Sequence, residues 1–259
     1  MAEHGFTFLL VILAWWLSTG VVMWLCALPR RTFAWSFCAA SFVLMASVYG
    51  LIRSAPVVSA GGAYIAFASA LGIWGWIEMS FLMGFITGPS HAPCPADATG
   101  FRRFRLALET LLYHELAIVI AAIGIVALTW NAPNQTGTFA FLILMAMRIS
   151  AKLNIFLGVP NLTDEFLPER LAYLKSYFRK RACNLLFPVS IVLSTAIAVV
   201  LARRVLGAAG AEAVGFALLL ALVALAMLEH FFMLLPLPDA TLWRWAIPAT
   251  TKPIDKALP

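Results

Sequence analysis

Apolar residues run along this chain in blocks too long and too unbroken for a soluble fold. Seven stand out: Phe6–Leu28, Phe33–Ile52, Ala63–Ile86, Leu106–Trp130, Thr138–Leu157, Leu185–Leu201 and Ala213–Leu235. Each has roughly the 17–25 residues that a helix needs to cross a bilayer core of about 30 Å. The pattern predicts an all-α integral membrane protein with about seven transmembrane helices. No polar block is large enough for a second domain, so residues 1–259 read as one polytopic membrane domain. The first block has no basic region before it and is followed by Pro29-Arg30-Arg31 in the manner of a stop-transfer signal. It is expected to be an uncleaved span.

The longest polar interruption is Gly158–Asn184. Pro168 suits the first turn of a helix, and Leu167, Leu171, Leu174 and Phe178 then recur at helical spacing. Arg170, Lys175, Arg179, Lys180 and Arg181 supply a basic complement, with Tyr173 and Tyr177 at the margins. This predicts an interfacial amphipathic helix within 158–184, lying on anionic lipid. The alternative is a helix packed on the neighbouring loops.

Composition supports the membrane reading: 63% of residues are hydrophobic and 12% charged, with a mean hydropathy of +0.92. Soluble domains carry about 25% charged residues. The net charge of +6 would raise nucleic acid as a partner in a soluble protein. Here the cations sit in short loops, where they orient the chain and meet membrane lipid, so no nucleic acid is expected. With the amino terminus outside, thirteen Lys and Arg fall on the inner side and only Arg53, Arg203 and Arg204 on the outer side. That bias predicts a periplasmic amino terminus and a cytoplasmic carboxyl terminus. The four cysteines, Cys26, Cys38, Cys94 and Cys183, then lie near the inner face, lack metal-ligand spacing and should be reduced. The tryptophans Trp15, Trp16, Trp24, Trp74, Trp76, Trp243 and Trp245 read as interfacial anchors.

The remaining two cations, Arg148 and Lys152, are inside the fifth block, one helical turn apart. Charges there are costly in lipid and call for facing carboxylates or a wet cavity. Glu78, Glu115 and Glu229 supply the acids, and His114, His230 and Asn154 accompany them. At about 1.5 Å per residue, the ionisable groups of four blocks fall at one depth, roughly 8–15 Å from the inner surface. Three readings follow. The cluster could fix helix packing through ion pairs and hydrogen bonds. It could carry a proton or ion path. It could hold a metal through His114, His230, Glu78, Glu115 and Glu229, as iron, or as haem or a chlorophyll-type magnesium on one axial histidine. Di-iron bundles place Glu and His three apart on one face, whereas His114-Glu115 and Glu229-His230 are adjacent and diverge by about 100°. No inverted repeat, Ser/His/Asp set, phosphate loop or dinucleotide fingerprint is present.

The runs KLNIFLGVPNLTDEFLPERLAYLKSYF, WIEMSFLMGFITGP, the HEL of the fourth block, NLLFP and LEHFFMLLPLPDATLWRW resemble the PuhE-type photosynthetic complex assembly proteins of purple phototrophic bacteria. The resemblance covers most of the chain from Trp74 onward. It implies an assembly factor for the photosynthetic reaction-centre/light-harvesting complex in the bacterial inner (intracytoplasmic) membrane. Its partners would be reaction-centre and light-harvesting subunits or other assembly factors, and bacteriochlorophyll is an implied ligand. No catalytic residues carry over. A membrane-bound metalloenzyme, an oxidoreductase acting on bacteriochlorophyll or a lipid-soluble substrate, stays open as the alternative.

Overall fold

The computed structural model describes residues 2–162, 167–235 and 242–246. Seven helices account for the apolar blocks: α1 (Ala2–Ala27), α2 (Phe33–Ser54), α3 (Ala60–Leu82), α4 (Gly100–Leu128), α5 (Thr136–Leu157), α6 (Leu186–Gly207) and α7 (Gly210–Leu234). All seven are long and apolar enough to cross a membrane. At 22–29 residues, those from α2 to α7 exceed a ~30 Å core.

Burial divides them. Half of the apolar window of α3 and 61% of that of α7 are buried inside the protein, against 6% for α2. So α3 and α7 are the central helices, and the others turn most of their apolar surface outward. Phe67 and Ile77 of α3, Ile118 of α4, Phe141 of α5 and Leu218 of α7 meet in one core. Small residues bring the backbones together, as is usual where lipid offers no hydrophobic drive between helices. A Cβ on Gly137 of α5 would sit 2.6 Å from the Ala66 carbonyl oxygen of α3.

Three boundaries differ from the sequence pattern. The third helix stops at Leu82 rather than Ile86, because Gly84 turns the chain at φ +81°. The fourth starts at Gly100, ahead of Leu106, and takes Arg102, Arg103 and Arg105 into its first turns. The sixth runs to Gly207, past Leu201, with Arg203 and Arg204 in its last turns. In both helices the arginines carry the chain beyond the apolar block, as long basic side chains do at a membrane boundary.

The segment expected to form the interfacial helix is helical. Residues Glu169–Tyr177 form a 3-10 helix, and Leu171, Leu174 and Tyr177 are buried. Three residues per turn align positions three apart, so Tyr177 replaces the expected Phe178 on the apolar stripe. That stripe faces the bundle: Leu171 and Leu174 pack with Phe81 at the end of α3, joined by Leu111 of α4. Arg170 also turns inward, where its guanidinium donates to the Cys26 carbonyl at 2.6 Å and lies over the Phe33 ring. Lys175, Lys180 and Arg181 stay exposed and Arg179 is half-buried. The segment therefore plugs the end of the helix bundle, and only part of its basic set faces outward.

Trp243 and Trp245, expected as anchors, also make contacts within the protein. Residues 242–246 fold back along α1. Trp243 donates to the Trp16 carbonyl and Trp16 to that of Leu242, while Trp15–Trp243 and Trp16–Trp245 pack ring on ring at 5.2 and 5.5 Å. Trp74 packs edge-on against Phe141, and Trp76 donates to Ser41. All four cysteines are free thiols. The tail cations Lys252 and Lys256 lie outside the described residues.

Candidate functional site

α5 is the hub of the polar residues, and its sequence explains how. Arg148 and Lys152 are four apart and share one face. Ser150 and Asn154 are also four apart, on a face rotated by about 200°. One helix thus carries a charged stripe and a neutral polar stripe, aimed at different neighbours.

The charged stripe meets α3 and α4. Arg148 Nη2 donates to Glu78 Oε2 at 3.1 Å, and Lys152 Nζ to Glu115 Oε1 at 2.6 Å. Both cations of the fifth helix are paired, each with an acid from a different helix. His114 Nε2 lies 3.8 Å from Glu78 Oε1, beyond hydrogen-bond range. The His114 ring is fully buried, stacked on Phe81 with centroids 4.4 Å apart. Among the described residues neither of its nitrogens has a hydrogen-bond partner, nor does Glu78 Oε1. Three polar atoms without partners in one buried spot are unusual, since such groups ordinarily cost about 1–3 kcal/mol each unless paired.

The neutral stripe meets α6 and α7. Ser150 Oγ is 2.8 Å from Ser190 Oγ and 2.9 Å from His230 Nε2. His230 Nδ1 is 2.9 Å from the Ala226 carbonyl. A carbonyl only accepts, so Nδ1 donates to it. Asn154 Nδ2 donates to the Ser150 carbonyl at 3.0 Å and approaches Ser190 Oγ at 3.3 Å. Just below, Gly158 ends α5 at φ +123°, and Asn184 Nδ2 donates to its carbonyl.

Glu229 goes elsewhere. Its Oε1 accepts from Trp15 Nε1 of α1 at 2.6 Å. The two adjacent acid/histidine pairs therefore diverge: α4 sends His114 to α3 and Glu115 to α5, while α7 sends Glu229 to α1 and His230 to α5. Among the described residues no three His, Cys, Asp or Glu side chains converge as a metal-ligand set. His114, His230, Glu78, Glu115 and Glu229 are distributed over four separate contacts. Glu78 Oε1 lies 3.8 Å from His114 Nε2 and Ser150 Oγ 2.9 Å from His230 Nε2, and both rings are buried.

Ser150, Ser190, Trp15 and Arg103 join the site or brace it without having been singled out in the sequence. The Ser150/Asn154 spacing matched that of Arg148/Lys152 and was a readable signal. Trp15 as the partner of Glu229 was not readable, since 214 residues separate them. Arg103 is buried; it donates to the carbonyls of Phe156 and Tyr177 and lies over the Phe156 ring, tying α4 to the end of α5 and to the 3-10 helix.

No solved structure matches the chain. A protein of Rhodobacter capsulatus described as "Uncharacterized 30.4 kDa protein in puhA 5'region" is 40% identical over 252 residues, which span 95% of this chain and 92% of the relative. Residues 1–254 match the family described as "Protein of unknown function (DUF3623)", and the chain belongs to that family.

Proposed function

We propose that this protein is a non-enzymatic assembly factor for the photosynthetic reaction-centre/light-harvesting complex, embedded in the bacterial inner (intracytoplasmic) membrane. The observation that carries the reading is the relative, whose name places it in the puhA 5' region, a photosynthesis gene cluster. The geometry supports it from another side. Arg148, Lys152, Glu78 and Glu115 are taken up by pairing one another, as in a packing network, instead of surrounding a reacting atom. Client subunits, other assembly factors or pigment would then be met on the outward apolar faces. The orientation, amino terminus periplasmic and carboxyl terminus cytoplasmic, belongs to the same proposal and rests on the loop charges.

The test is a deletion of the gene in its host, complemented in trans, with core-complex absorption measured in isolated membranes and subunit transcripts measured in parallel. The expected outcome is loss of core-complex absorption with transcripts unchanged, restored by the complementing copy. Wild-type core-complex levels in the deletion strain would overturn the reading. Metal analysis and an absorption spectrum of the purified protein address the enzyme alternative, which requires stoichiometric iron.

A further inference from the structure

A cleft of about 430 Å³ opens at the end of the bundle where the turn before α2, the start of α2 and the loop after α3 meet the 169–177 3-10 helix. Its polar wall holds Arg30, Arg170, Thr87 and His91, and its apolar wall includes Phe33 and Phe85. None of the described residues lining it is acidic. Two guanidinium groups thus share a concave site without a carboxylate between them. Arg170 spends one nitrogen on the Cys26 carbonyl and keeps its Nε buried with no partner among the described residues. Burial, and the neighbouring Arg30 charge, hold the Arg170 guanidinium below its usual pKa. Like charges held together in a half-buried cleft are relieved by an anion, and planar guanidinium groups suit phosphate oxygens.

The apolar side has a direction. Phe85 is 52% exposed at the lip. It packs on Phe37 at 4.8 Å, and Phe37 packs on Trp76 at 5.1 Å, so an aromatic seam leads from the cleft up the α2/α3 boundary. A soluble anion has no use for that seam, whereas an acyl chain does. The cleft also sits at the level of the helix ends, where lipid headgroups lie. We propose that it binds an anionic membrane lipid, with the phosphate between Arg30 and Arg170 and a chain along Phe85, Phe37 and Trp76. The inference is independent of the assembly reading.

The full-length protein, purified in detergent, is titrated with phosphatidylglycerol, with zwitterionic phosphatidylcholine and with inorganic phosphate, while its thermal unfolding midpoint is followed. A ligand that binds the folded state raises the midpoint by mass action. The expected result is a saturable rise with phosphatidylglycerol only. Arg30→Gln should weaken apparent binding about five-fold, the ratio equivalent to the ~1 kcal/mol of one basic residue at an anionic surface. Arg30 and Ala34 are both exposed, so Arg30→Gln and Ala34→Glu should fold normally, and Ala34→Glu should place a competing carboxylate on the cleft wall. An equal rise with phosphatidylcholine would overturn the proposal by showing general lipid solvation. Saturation by inorganic phosphate alone would overturn the lipid assignment. Unchanged phosphatidylglycerol binding in both variants would overturn the site.

Discussion

Lys152 and His114 lie close together in the bundle and pose opposite questions. Lys152 is satisfied by Glu115 at 2.6 Å, with both side chains about four-fifths covered by protein. Removing one partner of a buried pair strands a charge and costs roughly 3–5 kcal/mol. Lys152→Met should therefore lower the monodisperse yield and the unfolding midpoint, and adding Glu115→Gln should recover part of the loss. A double variant no better than the single one would mean that the pair is not the relevant interaction. His114 is the reverse: fully buried, yet without a hydrogen bond among the described residues. A ring in that state has little packing reason to be imidazole, since phenyl would stack on Phe81 as well. We expect His114→Phe to leave yield equal or higher and to lower core-complex absorption in the complemented host. Wild-type absorption in that strain would remove His114 from the proposed function. His230 differs again, because Ser150 and the Ala226 carbonyl hold both of its nitrogens. Its replacement should deplete the protein itself.

At the scale of the element, the seven helices were legible, and the segment after α5 was legible as a helix but not in what its apolar stripe packs against, for a physical reason. A span is set by its own run of apolar residues, and solvent imposes the rest. The 169–177 segment has an amphipathic pattern that both a lipid surface and the underside of the bundle could satisfy. Contacts from distant elements settle the choice. Arg103 is one of these, counted by sequence as a loop cation and found buried between α4, α5 and the 3-10 helix. Its removal should loosen the segment while leaving the spans intact. Arg103→Met is expected to speed tryptic cleavage within Arg179-Lys180-Arg181, measured by limited proteolysis in detergent, with little change in helical circular dichroism. Cleavage at the wild-type rate would show that Leu171, Leu174 and Tyr177 hold the segment by themselves. The polar site was half legible in the same sense. Depth along each helix follows from the sequence and puts Glu78, Glu115, Arg148 and Lys152 at one level, where Arg148 meets Glu78 and Lys152 meets Glu115. Direction around the helix axis decides partners, and it sent Glu229 to Trp15 and His230 to Ser150, away from the charged group.

For the whole molecule, an odd number of spans puts the outer end of α1 and the inner end of α7 on opposite sides of the membrane. The charges then choose which side is which. Among the described residues Arg103 and Arg170 are drawn into buried bonds, but Arg30, Arg31, Arg102, Arg105, Lys175, Arg179, Lys180 and Arg181 remain in the loops and helix ends of one side against Arg53, Arg203 and Arg204 on the other. Cations near span ends govern orientation, and this excess persists without those two. The turn between α4 and α5 belongs to the poor side. It is uncharged, and Asn134 fastens it to the end of α2 by donating to the Ser54 carbonyl and accepting from the Thr136 N–H. A glycosylation-type sequence at Asn134 is thereby explained as a loop clamp. Alkaline phosphatase fused after Asn134 should be active, marking the periplasm, and a green fluorescent reporter fused after Lys256 should fluoresce, marking the cytoplasm. Both junctions reporting one compartment would mean that one of the seven helices does not cross. The two compartments exchanged would leave the helix count intact and show that the basic face is the periplasmic one, against the charge rule.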